Sequence, residues 1–323
     1  MSAYILHACS LAGDGTGQTL TGGAVSETIK SDTLAWVHLD AADPKTADWL
    51  AAELEYLDPF VVEALTAEET RPRMVSVGTG AILILRGVNL NSGADAEDMI
   101  SIRLFIDEAR IISLQRRDLR AVGDIQSRLM AGTGPKSSGE FLTQIVARLT
   151  DRVESKLTDL DDLIDDTEEK LIENPHKGLR ADITNLRKKA ILFRRYLAPQ
   201  REAISQLIMA DLPWLSDSQR RYLRESLNNI IRYIEELDSM RERAQIVKEE
   251  LVNLAADRMN KNTYVLSVIA AIFLPLGFLT GLFGINIGGM PGVDSPAAFA
   301  AFNVFLLIIV IGQIALFRKM KWF

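Results

Sequence analysis

Residues 263–283, TYVLSVIAAIFLPLGFLTGLF, contain no charged side chain, and residues 297–317 form a second stretch with the same property. Each stretch has 21 residues. An α-helix of that length, rising about 1.5 Å per residue, crosses the ~30 Å hydrocarbon core of a bilayer. Two adjacent runs of this kind are improbable as buried helices of a soluble protein. The sequence therefore predicts two transmembrane helices joined by a short turn rich in Gly and Pro, residues 284–296.

Positive charges indicate the orientation of this hairpin. Arg258 and Lys261 precede the first span, and Arg318, Lys319 and Lys321 follow the second, whereas the connecting turn contains no Lys or Arg. Because cytoplasmic flanks carry the excess of Lys and Arg, both termini should face the cytoplasm and the turn should face outward. The N-terminus lacks the basic and apolar regions of a cleaved signal peptide, so we expect the rest of the chain in the cytoplasm.

The composition argues against several other functions. A net charge of −7 over 323 residues disfavours nucleic acid as a partner, because phosphate binding requires a basic face. The single cysteine, Cys9, excludes an intrachain disulfide and a zinc site built from several cysteines of one chain. We recognise no catalytic constellation, so we expect neither an enzyme nor a bound cofactor.

Residues 1–135 alternate between strand and helix signals. The segments 47–55 and 60–67 predict helices, because each opens after a Thr or an Asp-Pro start signal. Segments rich in Val, Ile and Leu predict strands at 4–10, 35–39, 81–89, 99–106 and 110–114. This pattern is typical of an α/β or α+β domain with a central sheet. A turn-rich linker at 131–139 follows the domain.

Residues 136–262 predict long helices that form a stalk. Apolar residues recur at three- and four-residue spacing in 142–164 and again in 179–193. Pro199 should kink or end the second of these helices.

The last cytoplasmic helix continues into the first span. Ser216 and Gln219 have the spacing of a capping box, and no Pro or Gly follows until Pro275. The sequence thus predicts one helix roughly 100 Å long. Its apolar stripe from Leu223 to Leu254 needs partners, and we expect a helical bundle between subunits.

One face of the first span is small or polar at every step but one. Its members follow a spacing typical of a single helix face: Asn260, Thr263, Ser267, Ala270, Leu274, Gly277 and Gly281. Tight packing between helices explains such a stripe and is the slightly better interpretation of the stripe alone. The alternative is a pore lining, which requires an oligomer because two helices per chain cannot enclose a pore.

The outer end of the first span could attract cations without acidic side chains. Helix carbonyls carry about half a negative charge at that end. The sequence Gly284, Ile285, Asn286 lies there, and the amide oxygen of Asn286 can bind the water shell of a hydrated cation. The alternative is that Asn286 only ends the helix. Asp294, the one charged residue of the turn, is a weaker candidate ligand.

The run PLGFLTGLFGIN at 275–286 resembles the signature that ends the first span in the CorA family of metal-ion transporters. That signature normally reads Gly-Met-Asn, and here Ile285 replaces Met. The turn GGMPG at 288–292 is similar to the ZntB branch of zinc transporters. The resemblance covers essentially the whole chain, through WVHLD at 36–40, ETRPR at 69–73, LRKK at 186–189 and RKMKW at 318–322.

This resemblance implies a funnel-shaped homopentamer in the bacterial inner membrane, with an α/β domain, a pore-lining stalk helix and a peripheral second span. By position, Asn286 matches the family's outer selectivity asparagine and Asn260 the asparagine at the inner end of the pore. Leu274 and Thr263 match pore-facing positions. The implied cargo is Zn²⁺, with Cd²⁺ also carried.

Other functions stay open at this point. A magnesium, cobalt or nickel channel of the same family is the nearest alternative, although the change from Met to Ile puts magnesium in doubt. A two-span sensor is a more remote alternative, because we recognise no output domain. Coupling to a proton gradient is suggested by the branch, yet neither span contains the Asp, Glu or His that a proton relay usually needs.

Two further groups of residues could bind metal. Residues 159–169 contain seven carboxylates, which indicate a solvated helix face or a device that concentrates cations near the pore. His7 and Cys9 lie on one face of a predicted strand, and His38 lies in another strand. These are side chains that zinc prefers, but half-buried strand residues are the simpler interpretation.

Overall fold

The computed structural model describes residues 3–55, 58–173, 178–282 and 295–319. Within these ranges the chain forms seven β-strands and eight α-helices. The chain divides into two compact units, Met1–Lys248 and Glu249–Phe323.

The first unit contains a seven-stranded mixed sheet. Its strands are β1 Ile5–Leu11, β2 Gly17–Thr19, β3 Ala35–Asp40, β4 Arg73–Val77, β5 Gly80–Gly87, β6 Ile100–Ile106 and β7 Arg110–Gln115. They lie in the order β2-β1-β3-β7-β6-β5-β4, and only the β3–β7 pair is parallel. The α/β prediction is confirmed, and each of the five predicted strands belongs to the sheet. The two strands that we did not predict, β2 and β4, are short edge strands without an apolar run.

Three helices cover one face of this sheet: α1 Gly23–Lys30, α2 Lys45–Glu53 and α3 Pro59–Thr66. Their buried side chains, including Ile29, Leu50 and Leu65, form one apolar cluster with sheet residues such as Val37 and Phe105. The start signal of α3 is confirmed, because the Asp58 carboxylate accepts a hydrogen bond from the Phe60 amide at 2.8 Å. Helix α1 was not predicted from the sequence.

Longer helices lie on the opposite face of the sheet. They are α4 Arg120–Met130, α5 Ser138–Glu173 and α6 Leu179–Met209. The ring of Trp36 on β3 contacts Phe141 on α5, with centroids 5.0 Å apart. Gln200 on α6 accepts a hydrogen bond from the backbone amide of Arg86 on β5 at 2.6 Å. Helix α6 continues for ten residues beyond Pro199, so that proline does not end it.

Helix α7, Asp217–Leu282, has 66 residues and confirms the prediction of one uninterrupted helix. The predicted capping box is also confirmed. The backbone amide of Gln219 donates to Ser216 Oγ at 3.3 Å, and the backbone amide of Ser216 donates to Gln219 Oε1 at 2.8 Å. These bonds pair two donors that the helix itself leaves unpaired.

The expectation that other subunits cover the α7 stripe was wrong for the part from Leu223 to Val247. Leu223, Ile230, Leu237, Ala244 and Val247 are buried within this chain. Two ion pairs join the same stretch of α7 to the long helices of its own unit, Arg194–Asp238 to α6 and Arg232–Glu154 to α5. A bundle between subunits is therefore not needed to cover these residues, because an intrachain bundle already buries them.

The second unit contains the end of α7 and helix α8, Ala298–Lys319. Among the described residues, these two helices are long and apolar enough to cross a membrane. Neither apolar window is buried within the chain, which distinguishes them from the core helices of a soluble protein.

Candidate ion pathway

The predicted lining stripe lies on one exposed face of α7. At about 100° per residue, the positions from Thr263 to Gly281 fall within an arc of about 80°. The six members from Thr263 onward and Asn260 before them are all exposed in the chain. Leu274, the one large side chain of the stripe, is 72% exposed. The chain therefore leaves this face of α7 uncovered within the second unit.

Helix α8 packs against the opposite face of α7. The partly buried positions there include Val268, Ile272, Leu276 and Leu279, which point away from the stripe. Helix α8 has its own partly buried series, at Ala298, Phe302, Leu306, Ile309, Gln313 and Phe317. A hydrogen bond from Gln313 Nε2 to the backbone oxygen of Ala271, at 3.4 Å, joins the two helices. The arrangement separates a face that contacts α8 from a face that is free for other contacts.

The exposed stripe has little polarity and no charge. Its polar members are the amide of Asn260 and the hydroxyls of Thr263 and Ser267, followed by Ala270 and then only Leu and Gly. A lining of this kind could not bind a dehydrated divalent cation tightly, because it offers no carboxylate, imidazole or thiolate. It could pass a cation that keeps its water shell.

The predicted outer mouth lies outside the described residues. This concerns Gly284, Ile285 and Asn286 of the motif and Asp294 of the turn. Their roles stay predictions from the sequence.

The acidic segment 159–169 is largely paired with cations. Arg243 on α7 bonds to Asp161, Asp165 and Glu168, while Lys156 pairs with Asp159 and Lys170 with Asp166. Hydrogen bonds to Glu168 and Asp165 raise the pKa of Arg243 further above its usual range. The geometry favours a structural role in joining α5 to α7 over the collection of free cations.

The residues His7, Cys9 and His38 come together in the sheet but form no complete metal site. His7 pairs directly with His38 across β1 and β3. Nδ1 of His38 lies 2.7 Å from Ser113 Oγ, which also accepts a hydrogen bond from Trp36 Nε1 at 2.7 Å. Burial raises the pKa of Cys9 to about 12, so the thiol is protonated in the metal-free chain at pH 7.

The described part of the chain contains no group of three or more His, Cys, Asp or Glu side chains that could hold a metal ion. Burial lowers the pKa of His38 to about 4 and also lowers the pKa of His7, which keeps both rings neutral at pH 7. The Nε2 atoms of both histidines are buried without a hydrogen-bond partner. Their packing against Trp36, at 4.8 Å for His7 and 6.2 Å for His38, supports a core role.

Sequence reasoning did not consider the two amide side chains of the second span, and of these Gln313 is the one that bonds to α7 within the described residues. Its signal was present, because an amide in an apolar span is unusual and must find a partner in the membrane. The identity of that partner could not be read from spacing, since Gln313 and Ala271 are 42 residues apart.

Comparisons with known proteins agree with this arrangement. The family model described as "CorA-like Mg2+ transporter protein" matches residues 31–319. Zinc transport protein ZntB of Yersinia enterocolitica is 38% identical over 287 residues, covering 89% of this chain and 87% of that protein. The divalent cation transporter CmaX of Pseudomonas aeruginosa is 38% identical over 307 residues, covering 93% and 90%.

Solved structures show the same fold. Full-length CmaX superposes with a TM-score of 0.85 at 35% identity, covering 99% of this chain and 98% of that chain. The CorA magnesium transporter of Methanocaldococcus jannaschii superposes over 100% of both chains with a TM-score of 0.80. At 17% identity, that second likeness is evidence for the fold alone. With a matching family model across residues 31–319 and relatives at 38% identity over most of its length, this chain belongs to the CorA-like family of metal-ion transporters.

Proposed function

We propose that this protein carries divalent cations across the bacterial inner membrane, with Zn²⁺ as the preferred cargo and Cd²⁺ as a second one. The observation that carries the proposal is the uncharged stripe on α7, which is exposed on the face opposite α8. An apolar helix with a free small-residue face is suited to line a pore with copies of itself. The names of relatives at 35–38% identity, zinc transport protein ZntB among them, support zinc.

The pore in this proposal is enclosed by five copies of the chain. Each copy contributes one α7, and α8 lies behind it toward lipid. The number five comes from the resemblance to the family, while the need for several copies comes from geometry, because one α7 and one α8 cannot surround a channel. The excess of Lys and Arg beside the inner ends of both spans supports cytoplasmic termini.

Selection of the cation is assigned to Asn286 at the outer mouth and to Asn260 at the inner end. Amide oxygens in a ring hold the water shell of a cation without binding it so tightly that it cannot leave. Leu274 forms the narrow part between them. Because neither span contains an Asp, Glu or His side chain, any coupling to protons would use groups outside the spans or water.

A magnesium transporter is the second candidate, because the matching family model is described by Mg²⁺. Both candidates are tested by metal flux into liposomes that contain the purified full-length chain. We expect Zn²⁺ influx above that of protein-free liposomes, and Zn²⁺ faster than Mg²⁺ at equal concentration. Influx of Mg²⁺ alone would favour the second candidate, and no influx of any divalent cation would overturn both. Repeating the assay with imposed pH gradients tests proton coupling.

A further inference from the structure

Pro275 removes one hydrogen bond from the middle of the membrane part of α7. In an α-helix, the carbonyl of Ala271 accepts from the amide of residue 275, and proline has no amide hydrogen. Helix α7 nevertheless continues from this point to Leu282. The carbonyl of Ala271 is therefore left without its normal helical donor.

A side chain of α8 supplies a donor to this carbonyl. Gln313 Nε2 donates to the Ala271 oxygen at 3.4 Å. Gln313 belongs to the series of α8 residues that face α7 and is partly buried. Within the described residues, one side-chain hydrogen bond joins α8 to a backbone carbonyl of α7. Its acceptor is the carbonyl that Pro275 leaves without a helical donor.

The other proline inside a described helix provides a contrast. Pro199 in α6 frees the carbonyl of Arg195 in the same way, but Arg195 is exposed in the first unit, where water can bond to the carbonyl. No water is available to do this within a hydrocarbon layer, so another protein group must replace the missing amide.

The other amide of α8 provides a second contrast. Asn303 donates to the carbonyl of Phe299 at 2.8 Å, one turn earlier in its own helix. It therefore needs no contact with α7 to satisfy its amide nitrogen. Of the two amide side chains of α8, only Gln313 bonds to α7 within the described residues.

We propose that Gln313 is a positioning residue for the ion pathway, because its amide replaces the hydrogen bond that Pro275 removes and holds this turn of α7 in place. The turn carries Ala270 and Leu274 of the exposed stripe on its other side. A shift of the turn would move Leu274, whose side chains from all subunits together form a ring around the narrow part of the proposed pore. Helix α8 therefore controls this narrow part without lining it. This inference rests on the proposed transport function.

The first test replaces Gln313 by Leu in the full-length protein. The apolar side chain keeps the volume but removes the donor. We expect Zn²⁺ flux per assembled oligomer to change by about fivefold, since hydrogen bonds between membrane helices contribute modestly. The matched control is Asn303→Leu, which removes the amide that bonds within α8 and should leave the flux within about twofold of wild type.

The second test separates positioning from a general loss of stability. Pro275→Ala restores the backbone amide at position 275, so Ala271 regains its helical donor. In this background Gln313→Leu should have no further effect on the flux or on the thermal unfolding midpoint in detergent. Equal effects of Gln313→Leu with and without Pro275 would overturn the inference, as would no effect in either background.

The two proposals fail in different ways. If the wild-type protein carries no divalent cation, the proposed transport function fails and the ion-pathway role fails with it. The thermal midpoints of the four proteins in the cycle would still report whether Gln313 and Pro275 are coupled. If the wild type transports Zn²⁺ and the cycle shows no coupling, only the role of Gln313 is overturned.

Discussion

Arg243 on α7 binds Glu168 on α5 through two parallel hydrogen bonds, 2.9 Å from Nε to Oε1 and 2.6 Å from Nη2 to Oε2. The same guanidinium contacts Asp161, with 3.1 Å between Nη1 and Oδ1, and Asp165 one turn further along α5. Its planar fork matches the geometry of a carboxylate in a way that the ammonium of lysine does not. One cation thus contacts three carboxylates of the acidic segment, reduces the repulsion among them and joins two long helices.

Replacing Arg243 by Gln should destabilise the helical bundle by about 1–3 kcal/mol, because three neighbouring carboxylates would then lose their shared cation. High salt should reduce the difference between variant and wild type, since it screens the repulsion. Thermal unfolding of the full-length protein in detergent at low and high salt measures this. Arg224→Gln, at an exposed position of the same helix, is the control and should change little. If the variant loses the same stability at low and at high salt, the loss comes from the packing of the Arg243 side chain and not from its charge.

The stability of the first unit should fall as the pH falls through the range between about 6.5 and 4. Burial lowers the pKa of His38 to about 4 in the folded chain, whereas its ordinary value is 6.5. Within that range the unfolded chain binds the additional proton, so the stability is complete above the upper value and decreases toward the lower one. The lowered pKa of His38 contributes about 3 kcal/mol to the free energy of unfolding above this range, and this contribution is lost as the pH falls through it.

His38→Asn should remove most of this pH dependence, because the amide cannot titrate but can still bond to Ser113. The unfolding midpoint of the variant at pH 5 and pH 7 should differ less than that of wild type. His7 leaves a residual slope, since burial also lowers its pKa. If the variant keeps the full slope of wild type, titration of His38 does not explain it.

Asn286→Ala should abolish Zn²⁺ influx in liposomes while the protein still folds and assembles. In the proposed pore the Asn286 amides of the subunits form a ring at the outer mouth, so the alanine variant lacks the amide oxygens that would hold the hydrated cation. Size-exclusion chromatography in detergent checks assembly on the same sample. Normal influx in this variant would show that the assignment of the pore mouth is wrong.

Asn286→Asp should have a different effect from alanine. A ring of carboxylates deepens the well for a divalent cation, so binding should become tighter and release slower. Zn²⁺ binding measured by calorimetry should strengthen while the maximal flux decreases. A variant with weaker binding and unchanged flux would contradict this expectation.

Leu274→Ser should raise the basal leak of Zn²⁺ if the Leu274 side chains of the subunits together form a gate that excludes water from the pore. If Leu274 instead packs between subunits, the same change leaves a cavity at a cost of about 2–5 kcal/mol by analogy with soluble cores. The two possibilities predict different results. A gate predicts a higher Zn²⁺ leak with intact assembly, whereas packing predicts a weaker oligomer. Leu307→Ser on the exposed face of α8 is the matched control and should raise no leak.

A native mass measurement in detergent tests the oligomer itself. We expect a closed ring, because the stripe of α7 is exposed within the described part of its own unit. The expected number of five chains comes from the resemblance to the family. A stable monomer that still transports Zn²⁺ would contradict the proposed pore.

The local features of this protein were predictable from its sequence. The capping box at Ser216, the start of α3 after Asp58 and the continuity of α7 each depend on residues within a few positions of one another. The two uncharged spans depend on length and composition alone. The stripe on α7 follows from helical periodicity, which places residues three and four apart on one face.

Only the tertiary structure decided what each helix face contacts. The stripe from Leu223 to Val247 looked like a surface for other subunits, yet it is buried within its own chain. Arg243 bonds to carboxylates 75 or more positions away, and Gln313 bonds to a carbonyl 42 positions away. Periodicity states which residues share a face, but the partner of that face depends on how distant segments pack, and no local pattern contains that information.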